Sequence, residues 1–285
     1  VKKFIELCEL LNISNNYFIR TTEKKHFQIS QKIFKKVYDN GEIYKGNYEG
    51  YYCQGCEGFK TEKELINNKC PEHNKKPEII TEESYFFRLS KYQNRLIKLI
   101  EGDFITPVQW KNEILQRLKS EELKDLSVSR EGKGWGIPVP IDDNHTIYVW
   151  FDALINYISA LDYPNGKNFK DFWPAYHLIG KGINWFHSVI WPAMLMSMKI
   201  PVPKQIIVHG YVNIDGKKMS KSSGKIIDPI KLIQKYKVDP LRYFLAREIP
   251  FGNDGDFSEE ALKSRLNNEL ANELGNLVSR TLTLT

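Results

Sequence analysis

The period of the apolar positions changes along the chain, and the changes mark its elements. Phe4, Leu7, Leu10 and Leu11 have helical spacing, as do Phe27, Ile33, Phe34 and Val37, so residues 1–39 predict two helices. Thr21 or Thr22 is placed to cap the second. Residues 42–53 and 84–89 read as strands, and residues 91–102 as a helix ending at Gly102. A helix over 108–119 follows, with Thr106 expected at its N-cap and Pro107 as its first residue. Residues 126–140 read as strand, turn and a proline-rich extended segment.

From 145 the period alternates. A strand over 145–151 leads into a helix capped by Asp152; a strand over 176–179 passes through Gly180-Lys181-Gly182 into a helix over 183–198; a strand over 206–209 comes next. Such alternation predicts βαβ units and a parallel sheet, whose ligands sit at the carboxyl ends of strands. Trp150, Gly180 and His209 are expected at those ends. Asp228-Pro229 and Asp239-Pro240 each signal a helix start. After the glycine-rich turn at 251–256, a last helix runs from Ser258 to about Leu282.

Composition narrows the class. With 285 residues the chain has room for two or three structural units, and 41% apolar with 27% charged residues is ordinary for a soluble protein. The net charge of +6 leans mildly toward an anionic partner. No apolar run approaches membrane-spanning length, and the first residues have no signal-peptide pattern. Three of the four cysteines cluster with a histidine as Cys53-x-x-Cys56 and Cys70-x-x-His73, which argues for metal in a reducing compartment. Two tight pairs supply four ligands for tetrahedral zinc, with no open position, so the site reads as structural. Cys8 reads as a core residue of a helix.

Residues 217–225 hold four lysines interleaved with serine and glycine, downstream of the apolar run Ile206-Ile207-Val208. Lysine with serine suits a polyanionic phosphate, and a solvated basic loop fits the composition as well. The spacing is not that of a phosphate-binding P-loop. Trp150, Ala153, Leu154 and Tyr157 share one helix face, and Ile183 and His187 another. Such aromatic and aliphatic faces suit either a thioether pocket or two sheet-packed core faces.

Lys218-Met219-Ser220-Lys221-Ser222 is the KMSKS signature of class I aminoacyl-tRNA synthetases. Together with WGIPVP (135–140), YVWFDAL (148–154), IGKGINWFHSVIWPAMLM (179–196), HGYV (209–212), DPLRYFLARE (239–248) and NELGNLVSR (272–280), the chain resembles the methionyl-tRNA synthetases over almost its whole length. The resemblance implies a class I nucleotide-binding α/β fold, Rossmann-like, divided over residues 1–42 and 131–208. Between them it implies a zinc-bearing insertion (43–130), and after them a KMSKS stem-contact segment (209–257) and the start of a helical anticodon-binding domain (258–285). It implies adenylation of methionine by ATP with magnesium, then transfer to tRNA(Met), in the cytoplasm or an organellar matrix. By the same resemblance Lys221, then Lys218, act on the triphosphate. Trp150, Ala153, Leu154, Tyr157, Ile183 and His187 line the methionine pocket. His209, Gly210, Val212, Gly180 and Arg130 stand near ATP, and Asn276 and Arg280 contact anticodon bases.

Two departures from the family pattern stand out. The HIGH signature is missing, so the chain is expected to be truncated at its start and to stop just inside the anticodon domain. The family's G-K-D turn reads Gly180-Lys181-Gly182, so a neighbour must substitute for the aspartate or activity falls. These departures leave a catalytically inactive, synthetase-like tRNA-binding module as the alternative to an active ligase.

Overall fold

The computed structural model describes residues 1–285 apart from 54–57, 61–64, 72–73, 133, 215–216 and 219–226; for 48, 58–60, 80 and 217–218 it describes the backbone alone. In chain order the elements are α1 (Lys2–Leu10), α2 (Lys24–Asp39), β1 (Ile43–Cys53), β2 (Gly58–Lys60), β3 (Glu78–Phe87), α3 (Gln93–Glu101), β4 (Ile105–Thr106) and α4 (Val108–Ser120). Then come β5 (Leu126–Ser127), β6 (Ser129–Glu131), β7 (Pro138–Val139), β8 (Asp142–Ile147), α5 (Val149–Ser159), α6 (Lys167–Phe172), β9 (Tyr176–Gly180), α7 (Trp191–Ser197) and β10 (Gln205–His209). The chain closes with β11 (Val212–Ile214), β12 (Lys217–Lys218), α8 (Pro229–Tyr236), α9 (Val238–Glu248), β13 (Gly255–Phe257), α10 (Glu259–Arg265) and α11 (Asn276–Leu284). Wide, five-residue helical turns over Phe186–Ile190 lead into α7, and others over Leu266–Gly275 join α10 to α11.

The strands form four small sheets. β4, β10 and β9 lie parallel in the order β4-β10-β9, with His209 opposite Gly180. β2-β1-β3-β5 is antiparallel, and so is β6-β8-β7. In the last, β12-β11-β13, β11 runs antiparallel to β12 and parallel to β13. The alternation expected from 145 therefore holds only from β9 onward. The strand before α5 pairs antiparallel and ends at Ile147, so Trp150 lies in the first turn of a helix, not at a parallel strand end.

Four expected caps are corrected. Glu23, not Thr21 or Thr22, precedes α2; its carboxylate accepts from the Arg20 N–H and the Tyr17 hydroxyl instead. Thr106 is committed to the sheet opposite Ile207, which leaves Pro107 as the cap of α4. Helix α5 begins early, so Asp152 falls inside its first turn, where it faces His26. Lys237, at φ +71°, turns α8 into α9, which puts Asp239 one residue inside α9. The Asp228 and Ser258 caps are made, by side-chain acceptance from Ile230 N–H and Ala261 N–H.

Two apolar cores hold the fold. The larger joins Phe34 and Val37 of α2, Phe87 of β3, Leu96 of α3, Phe151 and Ile155 of α5, Trp191 of α7 and Val208 of β10. The smaller gathers Ile233, Leu241, Phe244, Phe257 and Leu262, with Leu7, Leu10 and Leu11 of α1 packed against it. Cys8 of α1 is half-buried and lies outside both cores, because α1 buries no residue fully. Helix α2 is tied to α5 by a buried polar knot. The His26 ring meets Ser159 Oγ at 2.7 Å through Nδ1 and Asp152 Oδ1 at 2.5 Å through Nε2, and Ser30 Oγ donates to the same Asp152 oxygen.

Candidate functional site

One segment, residues 180–187, joins two groups of candidate residues. At its start, the parallel register sets Gly180 beside His209 at the carboxyl edge of β9 and β10. At its end, His187 faces Tyr157 of α5 and is held from behind by the Ile183 carbonyl. His187 Nδ1 lies 2.9 Å from the Ile183 carbonyl, which can only accept, so Nδ1 carries the proton. Its Nε2 is then free to accept from the Tyr157 hydroxyl at 2.8 Å, in a neutral ring. Burial agrees: it pushes His187 below the ordinary imidazole range and raises the Tyr157 phenol to about 12.

Around this pair the surfaces are aromatic. Tyr157 stacks on His177 at 3.9 Å between ring centres, and Trp150 on Phe186 at 3.8 Å. His177 accepts from the Trp191 indole N–H at 3.1 Å; burial first, and the neighbouring His187 second, push it down to about 4. Trp150, Ala153, Tyr157 and Ile183 keep partial exposure, whereas Leu154, on the same face of α5, is 1% exposed and belongs to the main core. The result is an uncharged aromatic wall with both imidazoles held neutral. Phe186, His177 and Trp191 were not singled out from the sequence; the signal that could have found His177 is its inward place in the alternation of β9, flanked by exposed Tyr176 and Leu178.

Beyond His209, an open cleft of about 740 Å³ is lined by His209, Gly210, Tyr211 and Val212 together with Ile249 and Phe251. His209, Gly210, Val212 and Gly180 are thus brought together. The Gly182 position is filled by Tyr211: a β-carbon there would collide with the Tyr211 hydroxyl. Arg130 lies on β6, its guanidinium over the Tyr148 ring and donating to Ser127 Oγ and the Ser129 carbonyl. From the cleft, β11 leads to β12, where the backbone of Lys218 pairs with Asn213. Lys221 lies outside the described residues.

Of the four metal-ligand candidates, Cys53 at the end of β1 and Cys70 are 3% and 0% exposed, and neither is in a disulfide. Cys56 and His73 lie outside the described residues. Among the described residues, one other cluster is compact enough for an ion: Glu83, Asp142 and His145. Lys45 already supplies its cation, 2.6 Å from Glu83 and 3.0 Å from Asp142. Asn276 and Arg280 both lie on α11 and are exposed, one helical turn apart. No helix among the described residues is long and apolar enough to cross a membrane.

The sequence matches the family model of class I tRNA synthetases (M) over residues 1–76 and 58–282. It is 52% identical to a methionine–tRNA ligase of Caldanaerobacter subterraneus subsp. tengcongensis, over 98% of this chain and 44% of the relative, and 50% identical to one of Thermotoga maritima, over 98% and 46%. The fold matches a crystal structure of Mycobacterium tuberculosis methionyl-tRNA synthetase bound by methionyl-adenylate, with TM-score 0.90 and 42% identity, over 99% of this chain and 57% of the other. The apo form of that enzyme matches with TM-score 0.86. The chain thus spans about half the length of the relatives it matches.

Proposed function

The chain belongs to the class I tRNA synthetases of the methionine type, and from that premise we propose that it carries the methionine- and ATP-handling residues of a methionine–tRNA ligase. The enzyme would activate methionine with ATP and pass the methionyl group to tRNA(Met). The observation that supports this best is the single segment 180–187, which joins an uncharged aromatic wall to a nucleotide-sized cleft at a parallel sheet edge. A relative of the same fold holds methionyl-adenylate, a ligand with these two halves.

In this reading Trp150, Ala153, Tyr157, Ile183 and His187 surround the methionine side chain, with Leu154 behind them. A thioether is neutral and polarisable, so neutral imidazole and aromatic edges suit it, at about 0.3–1.5 kcal/mol per sulfur–ring contact. Selection against leucine of about 1–3 kcal/mol is what such a pocket can supply. Gly180, His209, Gly210 and Val212 seat the adenosine, and Arg130 stands near the reacting groups. A carboxylate oxygen of methionine attacks the α-phosphorus, the bond to the bridging oxygen breaks, and pyrophosphate leaves. As that bond breaks, charge builds on phosphate oxygens, and Lys221, with Lys218 second, meets it. Magnesium accompanies the nucleotide.

Zinc is proposed at Cys53, Cys56, Cys70 and His73. Two buried cysteines, Cys53 and Cys70, fit a thiolate-rich structural site. Asn276 and Arg280, exposed on α11, are proposed to meet anticodon bases. The test is charging: the natural polypeptide that carries this sequence should load methionine, and not leucine, onto tRNA(Met). Failure to charge with methionine, under conditions where the protein is folded, would overturn the reading.

A further inference from the structure

Asp254 sits where three stretches of chain meet. Its Oδ2 accepts from Lys181 Nζ at 2.7 Å and its Oδ1 from the Tyr211 backbone N–H at 2.8 Å, and Asn213 Nδ2 lies 3.5 Å from Oδ2. Lys181 stands in the turn after β9; Tyr211 and Asn213 belong to the start of the hairpin β11–β12. The surrounding backbone is fastened too. Gly255 N–H donates to the Tyr211 carbonyl at 2.9 Å, and β13 pairs in parallel with β11. A β-carbon at Gly210 would run into the Asn253 carbonyl, so the two backbones touch. Gly252 turns at φ +83° against the Pro107 ring, and its carbonyl accepts from the Trp110 indole N–H at 2.9 Å.

By position alone, Lys181 is the lysine expected to reach for phosphate, one residue past the carboxyl end of a parallel strand. Its geometry assigns it elsewhere. The side chain is 26% exposed, and its ammonium is paired with Asp254, 4.9 Å from the centre of the Tyr211 ring and 5.8 Å from that of Trp110. That pairing is the largest cause holding the Asp254 carboxyl below its ordinary range. A partly exposed pair adds little stability, so its worth lies in fixing geometry.

We infer that Asp254 is a positioning residue: it clamps the root of the β11–β12 hairpin, which leads into the lysine-rich stretch of sequence, against the turn that opens the 180–187 segment. The inference rests on the proposed role of those lysines in adenylation. Asp254 itself touches no reacting atom; it acts through Tyr211 and Lys181. A displacement of about 1 Å can cost on the order of 10²-fold in rate, so loosening this clamp is read in kcat. Methionine affinity belongs to α5 and residues 183–187 and stays.

The test uses Asp254→Ala, Asp254→Asn and Lys181→Met in the natural polypeptide, with ATP–pyrophosphate exchange and amide hydrogen exchange as readouts. In Asp254→Ala, kcat should fall about 10- to 100-fold, with the KM for methionine within about twofold of wild type. Amides of 211–214 should exchange faster while those of β9 and β10 do not. Asp254→Asn keeps an acceptor for the Tyr211 N–H and should fall between. The Asp254→Ala/Lys181→Met double variant should lose no more than Asp254→Ala alone. Unchanged kcat with unchanged exchange at 211–214 overturns the assignment, as does an equal loss of rate and methionine affinity. If wild type itself shows no methionine-dependent exchange, the functional reading fails instead, and amide exchange still decides whether Asp254 clamps the hairpin.

Discussion

At the scale of single residues, the site is a set of proton assignments. The Ile183 carbonyl fixes the proton on His187 Nδ1, and this turns Nε2 toward the Tyr157 hydroxyl. Tyr157→Phe removes that donor and leaves a buried nitrogen unsatisfied. It should cost about 1–3 kcal/mol of stability and raise the KM for methionine more than it lowers kcat. A change confined to kcat would contradict a pocket role. His177 gives a pH dependence. Its folded pKa, about 4, lies below the ordinary 6.5, so the folded state binds fewer protons than the unfolded chain between those values. Stability is therefore full above about pH 6.5 and is lost as pH falls toward 4, by about 3 kcal/mol at ~1.4 kcal/mol per pH unit. Denaturant midpoints across pH 4–7 measure this, and His177→Gln should flatten the slope.

At the scale of elements, the polar knot of His26, Ser159, Ser30 and Asp152 sets helix α5, which carries Trp150, Ala153 and Tyr157, against α2. His26→Ala removes the buried ring that links the Ser159 hydroxyl to the Asp152 carboxylate. It should cost about 1–3 kcal/mol, read as a lower midpoint in chemical denaturation. Zinc belongs to this scale too: metal analysis should find about one ion per chain, and a folded, metal-free protein would refute the ligand set. Most elements were legible in the sequence because period reports burial, and the parallel pair β9–β10 was among them. The caps at Thr21, Thr22, Thr106, Asp152 and Asp239 were not. Cap propensity is local, whereas Thr106 was claimed by sheet pairing and Asp152 by a histidine over a hundred residues away. For the same reason the pairing of β8 could not be read: a short apolar run before a helix looks alike in parallel and antiparallel sheets. The turn at 180–182 was legible as the end of a parallel strand, but the Tyr211 hydroxyl over Gly182 and the Asp254–Lys181 contact join distant segments and have no periodic trace.

At the scale of the whole molecule, two cores divide the labour. The larger carries the aromatic wall and the parallel strands, and the smaller holds α8, α9 and β13 with α1 packed on it. Phe244 is fully buried in the smaller core, so Phe244→Ala should destabilise by about 3–5 kcal/mol. It should impair adenylation through the hairpin while leaving methionine binding by the larger core near wild type, and parallel loss of both would show that the cores do not act separately. The cleft lies where the two meet, between His209–Val212 and Ile249–Phe251. That arrangement suits the proposed reaction, in which the amino acid is fixed by one unit and the phosphate charge is met by lysines that follow β12 in sequence. The most direct test of that account is methionine-dependent ATP–pyrophosphate exchange by the natural polypeptide, with Lys221→Ala beside it. The account predicts exchange with methionine, a strong loss of exchange in Lys221→Ala, and unchanged methionine binding in that variant. Exchange that persists in Lys221→Ala, or no exchange with methionine in wild type, would contradict it.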